Sequence, residues 1–356
     1  MKTVQEQMKE RNAKYNMAMF QVKQKMPYEA KVMYAQARAR EFASECDRRG
    51  LNYHVSVGGL DSITLYIFLR EIGIDAPGIS ASYLEDKSIQ DVHKQLGIQC
   101  VKPICDKDGK PYTKVRVIQE FGFPVLSKEK AAKIELLQNP TEKNKTVRHA
   151  IITGETGAYG GFQKNSRMKL PQIWLELFGG YENENEGVNY QTPNFKVSSK
   201  CCYYLKEKPC DLWAKEHNSV PYLGLMASEG GRREKSLKMN GCNYFGKTTI
   251  RSAPFAVFNR QDLLQLALDL NVPVPDIYGE IIRAEDGRLM TTKAQRTGCQ
   301  MCGFGIHIED RPHRFDRLKE RNPKEWDFWM NNCATDEHGK KYGWGRVLDY
   351  IGVEWN

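Results

Sequence analysis

Short apolar segments alternate with helix-forming segments early in the chain, and this alternation limits the fold more than any other feature. It predicts helices over residues 62–72 and 87–96, lying between strands over residues 51–57, 76–82 and 98–103. Strands that alternate with helices at this spacing are typical of βαβ units, whose parallel sheet is covered on both faces. We therefore expect an α/β fold with a doubly wound, mostly parallel sheet.

The composition narrows the class of protein. The chain has 356 residues, of which 40% are hydrophobic and 27% are charged, which is enough to bury a sizeable core. No apolar run approaches the roughly 18–20 residues of a membrane span, and residues 1–16 lack the apolar region of a secretory signal. We expect a cytoplasmic protein with no membrane partner. Its net charge of +9 permits a polyanionic partner without requiring one.

A glycine pair follows the first predicted strand in the sequence Ser56-Val57-Gly58-Gly59-Leu60-Asp61-Ser62. A strand–glycine–helix turn is suited to phosphate, because its N–H groups point inward and the helix N-terminus adds unpaired donors. We predict that nucleotide phosphates bind to Ser56, Gly58, Gly59, Asp61 and Ser62. Asp61 would cap the helix or hold Mg²⁺. The alternative is an ordinary turn, since the Walker and dinucleotide-binding patterns are both absent.

Two tight cysteine pairs stand out among the ten cysteines: Cys201-Cys202 and Cys299-x-x-Cys302. In a reducing compartment such pairs are better interpreted as ligands than as disulfides. Four thiolates suit a [4Fe–4S] cluster and equally a structural zinc ion. Burial in the core is the alternative for any one of them, and Cys100, which ends a predicted strand, is expected to lie in the core.

The glycine turn resembles the pyrophosphate loop of the ATP pyrophosphatase superfamily, also called adenine nucleotide alpha-hydrolase-like. That resemblance implies that the loop binds the β- and γ-phosphates of ATP while the α-phosphate is attacked, which releases AMP and pyrophosphate. The chain differs from the family pattern by the inserted Val57 and by Leu60, where many members carry a lysine.

The cysteines, in CC-x-x-L-K-x-x-P and G-C-x-x-C, resemble the iron–sulfur branch of the phosphoadenosine phosphosulfate reductase family. The resemblance covers roughly residues 50–320 and implies a [4Fe–4S] cluster held by Cys201, Cys202, Cys299 and Cys302. It also implies that Lys206 lies beside the cluster and meets an anionic substrate. Arg232 and Arg233, in a segment where Met226 replaces the family's arginine, would contact phosphate or sulfate.

The choice of reaction depends on the C-terminus. Reductases of this family that act on adenylyl sulfate carry a nucleophilic cysteine in a C-terminal tail, whereas this chain has no cysteine after Cys333. The sequence resembles instead the iron–sulfur sulfurtransferases that thiolate nucleic acid, including the DNA phosphorothioation enzymes. We expect an ATP-dependent sulfurtransferase that uses ATP, Mg²⁺ and a [4Fe–4S] cluster, with Asp61, Lys206, Arg232 and Arg233 as catalytic residues.

The expected acceptor is a DNA backbone phosphate, with a tRNA base second, and the expected sulfur donor is a cysteine desulfurase. A homodimer is possible. Two alternatives stay open: a reductase of adenylyl or phosphoadenylyl sulfate, and a non-catalytic nucleotide-binding module of a defence complex. Any of Cys210, Cys242 and Cys333 is a candidate to carry a persulfide.

The expected domain organisation has three parts. Residues 1–50 form a helical N-terminal extension, residues 51–310 a nucleotide-binding α/β domain, and residues 311–356 a helical C-terminal segment. The stretch 138–200 has no clear periodicity and is expected to be an insertion or a lid-like excursion.

Overall fold

The computed structural model describes residues 15–182 and 190–355, except for the side chain of Arg232. Its strands are β1 (Asn52–Ser56), β2 (Gly78–Ser80), β3 (Gln99–Cys100), β4 (Val125–Leu126), β5 (Ser219–Leu223), β6 (Asn243–Phe245), β7 (Ile250–Ser252), β8 (Ile281–Arg283), β9 (Leu289–Thr291), β10 (Gly303–Phe304), β11 (Ala334–Thr335) and β12 (Lys341–Tyr342).

Residues 15–24 are helical, and the helices that follow include a three-residue turn at the first cysteine pair. These helices are α1 (Tyr28–Arg48), α2 (Leu60–Glu71), α3 (Lys87–Gln95), α4 (Lys114–Phe121), α5 (Lys128–Gln138), α6 (Lys145–Thr153), α7 (Gln172–Phe178), α8 (Lys200–Cys202), α9 (Lys208–Glu216), α10 (Gly231–Asn240), α11 (Arg260–Asp269), α12 (Arg314–Arg321), α13 (Pro323–Asp327) and α14 (Trp344–Ile351). Two π-helical stretches span Tyr203–Glu207 and Phe328–Asn332.

The chain divides into two compact units. The first comprises the described part of Met1–Lys102 together with Pro209–Gln300, and the second comprises the described parts of Pro103–Lys208 and Met301–Asn356. These units and the three segments expected from the sequence divide the chain at different places, because each unit combines stretches that are far apart in sequence.

A six-stranded sheet organises the first unit. Its strand order is β3-β2-β1-β5-β7-β6, in which β6 is antiparallel to β7 and the other neighbours are parallel. The predicted α/β fold with a mostly parallel central sheet is therefore confirmed. Strands β2 and β3 follow β1 outward on one side, and β5 lies on its other side. The direction of winding therefore reverses between β1 and β5.

The first unit's core lies around β1, α1 and α2. Val55 of β1 and Ile63 of α2 are fully buried, as is Phe42 of α1. The Phe42 ring meets the ring of Tyr222 edge-on at 4.9 Å, and the Tyr222 hydroxyl donates to the carbonyl of Ala39 at 2.7 Å. Helix α1, expected to belong to an extension, thus packs into the core of the sheet unit.

The second unit has its own core beside two short sheets, the parallel pair β4–β10 and the antiparallel pair β11–β12. Residues from 138–200 contribute to this core, among them the buried Ile151, Trp174, Phe178 and Val197. Trp344 of α14 is fully buried in the same cluster. We expected this stretch to be an insertion or a lid-like excursion. Where it is described, it forms part of the second unit's core, because its scattered apolar residues pack together. Residues 183–189 lie outside the described residues.

Within the described ranges, no helix has the combination of length and hydrophobicity that crossing a bilayer requires.

Candidate active site

The Gly58-Gly59 turn joins β1 to α2 as predicted, but Asp61 does not cap the helix. The N-cap is Gly59, whose backbone is extended (φ −82°, ψ −164°), and no side chain caps this helix end. Asp61 lies in the first helical turn instead. The helix therefore begins two residues before Ser62, where the sequence predicted its start, and its N-terminus opens at the carboxyl end of β1.

The Ser62 hydroxyl holds the turn together. It accepts a hydrogen bond from the Gly58 N–H at 2.7 Å and donates to the Gly59 carbonyl at 3.0 Å. Ser62 was expected to donate to phosphate, and here it is engaged within the turn.

Tyr278 closes one side of the turn. Its hydroxyl accepts from the Leu60 N–H at 3.1 Å and lies 2.6 Å from the hydroxyl of Thr297. A Cβ added at Gly59 would overlap the Tyr278 oxygen. Because a φ of −82° is accessible to any residue, glycine is needed at position 59 for the close approach of Tyr278 and not for backbone curvature.

A buried histidine fixes the orientation of the turn's central peptide. His93 Nε2 donates to the Gly58 carbonyl at 2.8 Å, and in the neutral ring Nδ1 accepts from the Ser82 hydroxyl at 2.8 Å. The peptide is trans, so its N–H, that of Gly59, points away from His93. Within the described ranges, the N–H groups of Gly59 and Asp61 donate to no protein atom. These two donors are the ones the turn offers to an anion.

Ser56 lies beside a buried histidine at the end of β1. The Ser56 hydroxyl is 3.5 Å from His54 Nε2, and His54 Nδ1 is 2.7 Å from the hydroxyl of Ser219. Burial, with a smaller effect from His217, lowers the pKa of His54 to about 4. His54 is therefore neutral near pH 7.

Asp61 is paired with an arginine that the sequence did not single out. Arg260, the first residue of α11, donates to Asp61 Oδ1 at 2.7 Å and to the Gln295 carbonyl at 2.9 Å. Burial raises the pKa of Asp61 above its usual value, and Arg260 partly opposes that rise. The charge of Arg260 therefore favours the ionised form of Asp61.

A second carboxylate, Glu229, lies close to Asp61. Its side chain is 8% exposed, accepts from Arg233 at 2.8 Å, and lies 3.8 Å from Arg296. The charge of Glu229 raises the pKa of Asp61, whereas that of Arg296 lowers it. Arg233 thus reaches the site through Glu229, whereas the Arg232 side chain lies outside the described part of the structure.

Gly224 allows β5 to approach the turn. It follows β5 directly, and a Cβ there would lie 3.0 Å from backbone atoms of Asp61 and Ser62. The ends of β1 and β5 therefore meet at the first turn of α2.

In the second unit, Cys202 lies near Cys302 and Lys128. Burial raises the pKa of the Cys202 thiol, as does the nearby Cys302, whereas Lys128 opposes the rise. Lys128 Nζ lies 2.6 Å from Glu207. Lys128 thus lies beside this cysteine, and Lys206 is half-buried in the π-helical stretch that follows the pair.

The four predicted cluster ligands are divided between the units. Cys201, Cys202 and Cys302 belong to the second unit, and Cys299 belongs to the first. In the described part of the chain, no three His, Cys, Asp or Glu side chains form a group that could hold a metal ion. A [4Fe–4S] cluster needs four thiolates, and the four-cysteine site stays a prediction.

The remaining cysteines differ in the solvent exposure of their side chains. No disulfide joins any of the ten. Cys242 and Cys333 are buried, and burial raises the pKa of both thiols, that of Cys333 to about 12, so neither is a ready thiolate. Cys210 is half-buried in α9. Cys100 is exposed, so its predicted place in the core is wrong; it ends a two-residue edge strand whose side chains both face outward.

No family model, curated protein or solved structure matches this chain. Sequence reasoning identified the turn and Asp61 and missed Tyr278, His93, Gly224, Arg260 and Arg296. Gly224, Arg260 and Tyr278 carried a signal, since they lie in the segments 223–233 and 253–279, which resemble family motifs.

Proposed function

We propose that the chain is an ATP-dependent iron–sulfur sulfurtransferase that cleaves ATP to AMP and pyrophosphate to activate a nucleic-acid acceptor. A DNA backbone phosphate is the favoured acceptor and a tRNA base the second. One observation carries the nucleotide part of this proposal: Asp61 and Glu229, with Arg233, Arg260 and Arg296, surround the N-terminus of α2 beside two unpaired N–H donors.

The position of the turn supports nucleotide binding. In open parallel sheets, ligands bind outside the carboxyl ends of the strands, where the direction of winding reverses. The Gly58-Gly59 turn follows β1, and the reversal lies between β1 and β5. We propose on this basis that the first unit is a doubly wound, adenine nucleotide alpha-hydrolase-like domain.

The side chains suit a magnesium–triphosphate complex. The N–H groups of Gly59 and Asp61 would donate to phosphate oxygens, aided by the partial positive charge of the helix N-terminus. Asp61 and Glu229 would bind Mg²⁺ through carboxylate oxygens. Arg260 and Arg296 would stabilise the negative charge that develops on the departing pyrophosphate.

The reaction has two displacement steps. An oxygen of the acceptor attacks the α-phosphorus of ATP, and the bond to pyrophosphate breaks. The terminal sulfur of a persulfide, supplied by a cysteine desulfurase, then attacks the activated acceptor and AMP leaves. A thiol reduces the remaining sulfur–sulfur bond to release the carrier. A [4Fe–4S] cluster would supply a binding position for sulfur, and no step here depends on it.

The burial of Cys333 argues against this residue as the nucleophile of an adenylyl sulfate reductase. That chemistry needs an accessible thiolate, whereas Cys333 is 2% exposed and its Sγ lies 3.2 Å from the Trp329 carbonyl oxygen. A different observation favours a non-catalytic binding module. The N–H groups of Gly58 and Leu60, which a phosphate loop would use, are already bonded to Ser62 and Tyr278.

The test is product analysis with anaerobically purified protein. The protein is incubated with ATP, Mg²⁺, cysteine, a cysteine desulfurase, and either DNA or tRNA. We expect AMP and pyrophosphate without ADP, and thiolated nucleotides after digestion of the acceptor. Asp61→Asn should abolish pyrophosphate release, whereas the exposed Asp286→Asn should not. Release of sulfite from adenylyl sulfate without ATP cleavage would establish the reductase. The absence of both activities would favour the non-catalytic binding module.

A further inference from the structure

We propose that residues 154–169 of the second unit, here called the aromatic loop, bind single-stranded DNA by stacking bases on Tyr159 and Phe162. This inference rests on the proposed function in that it assigns a surface to the nucleic-acid acceptor. It is carried by the exposure of the two rings, by the backbone that holds them, and by the charge around them.

The two rings are largely exposed to solvent. Tyr159 is fully exposed and is the most exposed large apolar side chain in the described ranges, and Phe162 is 77% exposed. Exposed aromatic side chains mark binding surfaces when they are grouped together. Here they are three residues apart at the tip of one loop.

Hydrogen bonds hold the tip in one shape. The Thr156 N–H donates to the Gln163 carbonyl at 2.9 Å, and the Gln163 N–H donates to the Thr156 hydroxyl at 3.0 Å. The base of the loop is anchored by the Ser166 N–H, which donates to the Gly154 carbonyl at 3.0 Å. The rings are therefore presented from a pre-ordered loop, which lowers the entropic cost of binding.

Phe162 also has an unfavourable backbone. Its φ is +51°, in the left-handed region that bulky residues rarely adopt. The preceding residue in the same turn, Gly161, also has a positive φ, and there the residue is glycine. A phenyl group at position 162 thus has an unfavourable backbone conformation while it gains little burial. A stacking partner explains why an aromatic residue occupies this position.

The charge around the rings suits a polyanion. Lys164, Arg167 and Lys169 are all exposed, and the loop carries one carboxylate, Glu155. The Lys133 ammonium donates to the Arg167 carbonyl at 2.7 Å, which fixes the backbone between the cations. Aromatic platforms next to a cationic track are the pattern by which proteins bind single strands without reading their sequence.

The experiment measures the anisotropy of fluorescein-labelled oligothymidine, with a duplex of the same length as comparison. We expect the parent protein to bind the single strand more tightly than the duplex. Tyr159→Ala and Phe162→Ala should each weaken binding by roughly 5- to 150-fold, the effect expected for the loss of one stacked base. Lys164→Ala should make the slope of the logarithm of the binding constant against the logarithm of the salt concentration less negative by about 0.7, because one phosphate contact is lost.

Two further variants keep the test decisive. Ile308→Ala removes a similarly exposed apolar side chain of the same unit and should leave binding unchanged. Phe162→Gly should retain or raise the melting temperature, because glycine relieves the backbone, and should still lose binding. Equal single-strand affinity in the parent and both aromatic variants would overturn the proposal. Pyrophosphate release from ATP at a saturating concentration of DNA is measured separately, so failure of the loop is distinguishable from failure of the proposed function.

Discussion

Arg260 and Asp61 lie 199 residues apart in the sequence and are joined by a hydrogen bond of 2.7 Å. The pair links the start of α11 to the first turn of α2. The helix start that carries Arg260 is itself held in place, since the buried Lys31 contacts Asp262 at 2.7 Å and Asp262 accepts from the Asn259 N–H at 2.8 Å. A cation from a distant segment is thereby positioned at the proposed phosphate site.

Replacing Arg260 should move the pH dependence of the reaction. Arg260 lowers the pKa of Asp61 against the upward effect of burial, so Arg260→Ala should raise that pKa further. The acidic limb of the rate of pyrophosphate release should then shift to higher pH, and the rate near pH 7 should fall about tenfold or more. The exposed Arg288→Ala is the control and should show neither change. An unshifted profile with Arg260→Ala would show that Asp61 does not need to be ionised.

The contact between Gly59 and Tyr278 predicts a rescue. Gly59→Ala places a methyl group against the Tyr278 hydroxyl and should cost about 1–3 kcal/mol of the free energy of unfolding. Tyr278→Phe removes the oxygen that the methyl group meets, so the double variant should recover part of that loss in a denaturant titration. Gly157→Ala is the matched control, since nothing lies within 4 Å of a Cβ there and its φ of −83° is ordinary. Additive losses would contradict the contact.

His54 predicts a stability loss on mild acidification. Its folded-state pKa is lowered to about 4 against an ordinary value of 6.5, so the unfolded chain binds a proton that the folded chain does not bind. Stability should therefore fall as the pH drops from about 6.5 towards 4, by at most about 1.4 kcal/mol per pH unit from this residue.

The check on His54 is the melting temperature as a function of pH. His54→Gln should flatten the slope in this window relative to the parent protein. The exposed His338→Gln should leave the slope unchanged. A parallel dependence in the parent and His54→Gln would mean that His54 is not held neutral.

The four-cysteine site predicts a brown protein after anaerobic purification, with about four irons per chain. Replacing Cys201, Cys202, Cys299 or Cys302 by serine should reduce the iron content and the visible absorbance. Cys100→Ser is the control, because Cys100 is exposed and lies outside both pairs. If the protein holds one zinc ion and shows no visible absorbance, the four cysteines form a structural metal site and not a cluster.

The sequence by itself determined the local structure around β1. The predicted strands at 51–57 and 76–82 correspond to β1 and β2, and the predicted helices at 62–72 and 87–96 correspond to α2 and α3. Such elements follow from hydrophobic periodicity and from turn residues that are neighbours in the chain. The glycine turn and Asp61 were recognisable for the same reason.

The tertiary structure alone decided which distant groups surround that turn. Arg260, Tyr278 and Arg296 follow Gly59 by about 200 residues or more, and the hydrophobic periodicity of their own segments does not show that they meet it. Their positions depend on β5 pairing with β1 and on the buried contacts of α11. In the same way, the stretch 138–200 lacks periodicity but packs into the second unit's core, because burial there joins side chains far apart in sequence. Periodicity reports which face of one element is apolar, whereas only packing between elements specifies the partners of that face.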